Sequence, residues 1–209
     1  AGKTMLGTQI IENIAKSQKV AFFCFEFTIK SYIKSRAGMQ INKDNITILD
    51  DGYNINEIAH NIKELYKQGV HVFLIDSQMR ITSPNGRNME EEESLKFSTL
   101  ARLCHSLEIV VLLIVQTSKG DRDNPKKRKK GGHEASIIMR IEHCKAKDEN
   151  LREFDEETRM FIVKKNKQTG KHFKEKVSFK NLRFSSLERE IDPNAQMLDI
   201  EEIKSMITF

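Results

Sequence analysis

A chain of 209 residues with 38% apolar and 31% charged side chains is long enough to bury one sizeable core and has the composition of a globular protein. No apolar run approaches the ~20 residues that span a bilayer, no signal peptide is visible, and three scattered cysteines (Cys24, Cys104, Cys144) fit reduced thiols better than a disulfide framework or a metal site. The expectation is a cytoplasmic protein with no membrane partner, whose start on alanine within a motif places its true N-terminus upstream. The net charge of +5 is local: Lys119 to Gly132, KGDRDNPKKRKKGG, holds seven basic and two acidic residues, and the rest of the chain balances at 28 of each.

The chain opens on Ala1-Gly2-Lys3-Thr4 and runs into a helical pattern from Met5 to about Lys16, with Leu6, Ile10, Ile11 and Ile14 on one face. Gly-Lys-Thr ahead of an amphipathic helix is the second half of a phosphate-binding loop, G-x-x-x-x-G-K-[ST]. Gly2 lets the backbone approach a phosphate, Lys3 offers a charge to the β- and γ-phosphates, and the Thr4 hydroxyl is a Mg²⁺ ligand. The helix aims its positive dipole end at the anion. Alone, the tripeptide also fits a frayed terminus before a core helix.

Val20 to Phe27, VAFFCFEF, is a nearly continuous apolar run of the kind a strand covered on both faces carries, interrupted by Glu26. Thr28 is placed to cap a short helix with Ile29, Tyr32 and Ile33 on its apolar face, ending at Gly38. A strand at Ile46 to Leu49 leads through Asp50-Asp51-Gly52 to a helix bearing Ile58, Ile62, Leu65 and Tyr66, closed by Gly69. Val70 to Asp76, VHVFLID, is the next strand. After a loop at 80–89, Glu90 to Glu93 stand where a helix N-terminus favours negative charge, and that helix runs through Leu100, Leu103 and Leu107. Ile109 to Gln116, IVVLLIVQ, reads as a central strand opening into the basic loop. Ile137 to Ile141, Met160 to Val163 and Lys174 to Phe179 are shorter and more alternating, which fits antiparallel pairing, and Ser185 to Phe209 reads as a polar link and a short helix. Helices alternating with buried strands up to residue 116 predict an α/β fold with a parallel core.

In open α/β sheets, ligands bind at the carboxyl ends of the strands. Glu26, Asp76 and Gln116 each end an apolar run, which singly is ordinary for a strand meeting solvent. Together with Lys3 and Thr4 they converge on one edge, and that set fits nucleotide hydrolysis. Asp76 suits the carboxylate that holds the Mg²⁺ water shell, Glu26 the general base, and Gln116 a sensor of the γ-phosphate.

The order GKT, FEF, VFLID, LLIVQTS and then a basic loop resembles the RecA-like ATPase domain of DnaB-type replicative DNA helicases. DDGYNINEI, LARLCHSLEIVVLLIVQ and MFIVKKNKQTGKHFKEKVSF also fit, so that the likeness covers residues 1–184. It implies a RecA-like P-loop NTPase domain, with a mainly parallel central sheet flanked by helices and shorter C-terminal antiparallel strands, and leaves 185–209 as a linker and short helix. It implies ATP and Mg²⁺ as cofactors, Glu26 as the catalytic glutamate, Asp76 as the Mg²⁺-associated aspartate and Gln116 as the sensor. It further implies a hexameric ring in which a neighbour supplies Lys165 and Lys167 to the ATP. Their spacing puts both on one strand face, and Lys167, where arginine is usual, lacks the planar fork for bidentate phosphate contact. The basic loop matches a DNA-contacting loop of that family. Lys119, Arg122, Lys126, Lys127, Arg128, Lys129 and Lys130 would neutralise phosphates of single-stranded DNA without reading sequence. PKKRKK also satisfies a nuclear-import pattern or a plain surface loop. Ser77 stands where the family usually has a bulky residue.

The expectation is therefore an ATP-dependent DNA helicase motor domain of DNA replication, coupling hydrolysis at subunit interfaces to movement on single-stranded DNA. Two other readings stand beside it. One is a RecA/RadA/KaiC-like ATPase, a recombinase or clock type, that does not unwind. The other is a degenerate, non-hydrolysing module that binds DNA or protein.

Overall fold

The structure, a computed structural model, describes residues 2–84, 88–116, 131–145 and 154–187. The elements in order are α1 (Lys3–Ile14), β1 (Val20–Cys24), α2 (Ile29–Ser35), β2 (Ile46–Leu49), α3 (Ile55–Lys67), β3 (Val72–Asp76), α4 (Met89–Leu107), β4 (Val110–Leu113), α5 (Gly131–Glu134), β5 (Ile137–Lys145), β6 (Phe154–Asn166), β7 (Phe173–Lys180) and β8 (Arg183–Ser186). Strands β1 to β4 form a parallel sheet in the order β2-β1-β3-β4, and β5 to β8 form an antiparallel sheet in chain order. The α/β architecture, with a parallel sheet flanked by helices and shorter antiparallel strands after it, is as the sequence predicts.

The burial of β1 and β3 explains why both read as unbroken apolar runs, since every residue of each is buried. Alternation then sorts them. Val20, Phe22, Cys24, Val72 and Leu74 pack with Ile11 of α1, with Ala15 that caps it, and with Tyr32 of α2. Ala21, Phe23, Phe73 and Ile75 pack with Ile55, Ile58, Ile62 and Leu65 of α3 and with Leu100 and Leu103 of α4. From β1 the chain moves one way to β2 through α2, then back past β1 to β3 and on to β4 through helices on the other face, as right-handed crossovers require. The reversal lies between β1 and β3, whose carboxyl ends therefore flank the crevice such a sheet opens to ligands.

The caps follow the side chains. Thr28 Oγ1 accepts from the Ser31 amide at 3.2 Å, Asn54 and Glu57 form a capping box on α3, and Asn88 Oδ1 accepts from the Glu91 amide at 2.9 Å, with Glu90, Glu91 and Glu92 in the first turn of α4.

Three details differ from the sequence reading. Among the described residues β4 pairs only with β3, so it is an edge strand of the parallel sheet and Val110 is half exposed. A continuous apolar run does not report the number of lateral neighbours, and at this edge Val110 to Leu113 are exposed or only half-buried. The antiparallel strands are longer than their apolar cores, and β8 escaped notice because it has four residues, two of them serine. The segment after β3 contains a 3₁₀ turn at Gln78–Arg80 and the buried Ile81, which a plain loop would not have.

Candidate active site

α1 starts at its lysine. Gly2 caps it in the left-handed region at φ 87°, and the Leu6 amide donates to Gly2 O at 2.9 Å to close the first turn. A side chain at Gly2 would be strained there and would lie 3.0 Å from the ring of Phe184 on β8. Gly7 admits the sheet: a Cβ on it would come within 2.9 Å of Leu74 and 3.1 Å of Ile114. The helix thus approaches the carboxyl ends of β3 and β4 closely, and two side chains of its first turn reach them. Lys3 Nζ donates to Val115 O at 2.8 Å, and Thr4 Oγ1 donates to Asp76 Oδ2 at 2.7 Å.

The alternation of β3 is what aims Asp76 at Thr4. Asp76 pairs in register with Cys24 and lies on the same face as Val72 and Leu74, the face α1 covers. Its residue is 1% exposed. Burial pushes the carboxyl above its usual range; the Thr4 hydroxyl pulls it back, Glu26 nearby pushes it further up, and the Lys3 charge opposes. Burial likewise pushes the adjacent Cys24 thiol up to about 11, which makes it an inert core group.

Glu26 stands two residues beyond the end of β1, beside β3. Its Oε1 accepts from Ser77 Oγ at 2.5 Å and from Gln116 Nε2 at 3.2 Å. The backbone beneath is fixed by the Phe25 amide donating to Asp76 O at 2.8 Å and the Gln78 amide donating to Ile114 O at 2.9 Å. Lys3, Thr4, Glu26, Asp76 and Gln116 are therefore brought together at one end of the parallel sheet.

The donor set fits a hard divalent cation bound with a nucleotide. A hydroxyl oxygen and a buried carboxyl group lie side by side, and burial disfavours the charged form that a bound cation would restore. No cluster of three or more His, Cys, Asp or Glu placed to hold a metal occurs among the described residues. Mg²⁺ suits such a site, because it binds through one or two protein oxygens and takes its other ligands from water and phosphate.

Lys165 and Lys167 lie elsewhere, at and just past the end of β6. Lys165 Nζ donates to Gly132 O at 2.6 Å and His133 O at 3.1 Å, and Lys167 Nζ donates to His133 O at 3.1 Å. Lost hydration and the neighbouring Lys167 charge hold the Lys165 ammonium below the usual lysine range. Lys119, Arg122, Lys126, Lys127, Arg128, Lys129 and Lys130 fall outside the described residues, as does 188–209.

Sequence reasoning missed what ties α1 to its surroundings. Glu12, 2% exposed, accepts from Arg36 Nε at 2.8 Å and from the Tyr32 hydroxyl at 2.9 Å, and Arg36 also donates to Thr8 Oγ1 at 2.6 Å. Arg183 of β8 stands 2.7 Å from the other Glu12 oxygen, an ion pair without a hydrogen bond. One turn earlier the Gln9 amide pairs with the Phe184 backbone, donating to its carbonyl at 2.8 Å and accepting from its N–H at 2.7 Å. The sequence held one clue: Thr8 and Glu12 repeat at helical spacing beside Ile11 and Ala15, so that an acid falls on the buried face. A further group, in which the buried Gln78 and Lys96 both donate to the half-buried Glu93, braces the turn after Ser77.

A parallel sheet of order β2-β1-β3-β4 followed by an antiparallel sheet, with a lysine–threonine helix start at its carboxyl edge, defines a RecA-like fold. Among solved structures the chain is similar to the crystal structure of the RadB recombinase, at a TM-score of 0.62 and 17% identity over 90% of this chain and 86% of that one. No protein-family model and no curated protein matches the sequence. No helix among the described residues is long and apolar enough to cross a membrane.

Proposed function

We propose that this chain is an ATP hydrolase that acts on single-stranded DNA. The observation that carries the reading is the meeting of Lys3, Thr4, Glu26, Asp76 and Gln116 at one end of the parallel sheet. The N-terminus of α1 and the Gly2 backbone receive the β- and γ-phosphates, with Lys3 released from Val115 O to meet them. Thr4 and Asp76 hold Mg²⁺, whose charge offsets that of the phosphates. Glu26 orients and deprotonates the attacking water. Gln116, bonded to Glu26 and directly followed by the basic segment, links the state of the γ-phosphate to the DNA contacts. Lys119, Arg122, Lys126, Lys127, Arg128, Lys129 and Lys130 bind the DNA backbone by charge alone, so binding weakens steeply with salt. In a hexameric ring, Lys165 and Lys167 leave the carbonyls of α5 for a neighbour's nucleotide.

Two forms of this activity compete. The motif order supports a helicase motor of the DnaB type. The likeness to a recombinase structure supports an ATPase that assembles on DNA without unwinding it. Steady-state ATP turnover with and without single-stranded DNA, alongside displacement of a labelled strand from a forked duplex, tests both. DNA-stimulated turnover with displacement supports the motor, and stimulated turnover without it supports the recombinase type. Salt-sensitive DNA binding with no turnover leaves the non-hydrolysing module.

A further inference from the structure

Glu26 is exposed and lies outside any strand or helix, so nothing in its own segment fixes its carboxylate. Ser77 is the opposite: it has no exposed surface, follows directly on β3, and opens the 3₁₀ turn whose Arg80 amide donates to Ser77 O at 3.1 Å. Neighbouring backbone bonds, Phe25 to Asp76 and Gln78 to Ile114, pin the residues on either side of it. Gln78 in turn is held by Glu93, and Glu93 by Lys96. The Ser77 hydroxyl is therefore a donor on a rigid support, and it reaches Glu26 Oε1 at 2.5 Å. The other donor to that oxygen, Gln116 Nε2, comes from an exposed residue and stands farther off at 3.2 Å.

We propose that Ser77 is the positioning residue for the general base, fixing Glu26 through the hydrogen bond to Oε1 so that Oε2 is presented to the attacking water. The inference rests on the reading of the site as an ATP hydrolase and adds a residue that this reading does not use. Both observed bonds fall on the same carboxylate oxygen, which occupies one oxygen and leaves the second for the proton transfer. An apolar side chain at this position would have no hydroxyl to offer. Here the serine supplies a charge-assisted bond, the stronger kind.

The test compares the purified wild-type protein with Ser77→Ala and Ser77→Cys in ATP turnover, binding of a fluorescent ATP analogue and melting temperature. Alanine removes the donor with little change in volume, and cysteine fills the space with a weak donor. For Ser77→Ala, kcat falls about ten- to hundredfold, the size expected when a reacting group loses its alignment, while KM, analogue affinity and melting temperature stay near wild type. Ser77→Cys retains most of that loss. An alanine variant with kcat within about twofold of wild type overturns the proposal, as does a parallel loss of affinity or melting temperature, which marks a structural role. Full recovery in the cysteine variant overturns it too, because volume would then be the cause. A wild-type protein without turnover overturns the hydrolase reading itself and this inference with it, so the two failures are told apart by the wild type.

Discussion

Arg36→Met tests whether α1 is held by the buried ion pair. Arg36 and Glu12 are 4% and 2% exposed in their side chains and 2.8 Å apart, and Arg36 also donates to Thr8 and lies over the Tyr32 ring at 5.2 Å. Methionine keeps the apolar stem but leaves the Glu12 carboxylate with the Tyr32 hydroxyl and with Arg183, which is 31% exposed in its side chain. Stranding one partner of a buried pair costs about 3–5 kcal/mol, and the remaining Arg183 contact sets the expectation near the lower end, about 3 kcal/mol. At about 2–4 °C per kcal/mol for a chain of this size, melting falls by roughly 6–12 °C. Urea unfolding followed by far-ultraviolet circular dichroism reads the change as a lower midpoint at constant slope. Glu12→Met combined with Arg36→Met should recover most of the loss, since two apolar side chains leave no buried charge. A single-variant loss below about 1 kcal/mol, or a double variant weaker than the sum of the singles, refutes the reasoning.

The remaining predictions concern the same helix and its contacts. Asp76→Asn should melt higher than wild type at neutral pH without nucleotide, because burial raises the Asp76 pKa and ionising it opposes folding. By linkage the stability associated with the protonated group is present below the unfolded value of about 3.9 and is lost as pH rises through the folded pKa, so the advantage of asparagine should vanish as pH falls toward about 3.9. The same variant should lose Mg²⁺-dependent nucleotide binding in an equilibrium titration. Gly2→Ala should lose about 1–2 kcal/mol from the left-handed backbone alone, measured by urea unfolding, with weaker binding of an ATP analogue because the new methyl, 3.0 Å from the Phe184 ring, shifts the start of α1 or that ring. Gln9→Leu removes both bonds to the Phe184 backbone, and the Phe184 amide should exchange its hydrogen about tenfold faster or more, at roughly 0.5–1.5 kcal/mol per bond.

The parallel half of the fold was legible because β1 and β3 are covered on both faces and announce themselves as apolar runs, with an acid at the end of β3 and another just past the end of β1. Lys3, Thr4, Glu26, Asp76 and Gln116 were legible for the same reason: strand ends and a glycine–lysine–threonine helix start fix the edge on which they meet. Ser77 was not, because a serine after an acid reads as a turn, and only the geometry puts its hydroxyl on Glu26. Arg36 sits in Lys34-Ser35-Arg36 and reads as the solvated basic end of a helix, whereas it is buried against Glu12, a partner 24 residues earlier. Ile33 shows the reverse error, an apolar residue counted on a helical face that the structure leaves half exposed. Such pairings depend on which helix lies over which strand, and local periodicity carries no record of that.

The central claim is that Glu26 activates water at a nucleotide site built on Lys3, Thr4 and Asp76. The most direct measurement is a single-turnover assay of Glu26→Gln against wild type, with labelled ATP and Mg²⁺, read together with equilibrium binding of the same nucleotide. Glutamine preserves the shape and the bonds to Ser77 and Gln116 but removes the base. The account predicts unchanged ATP affinity with hydrolysis at least about a hundredfold slower. Hydrolysis in the variant at the wild-type rate would contradict it, placing the base elsewhere.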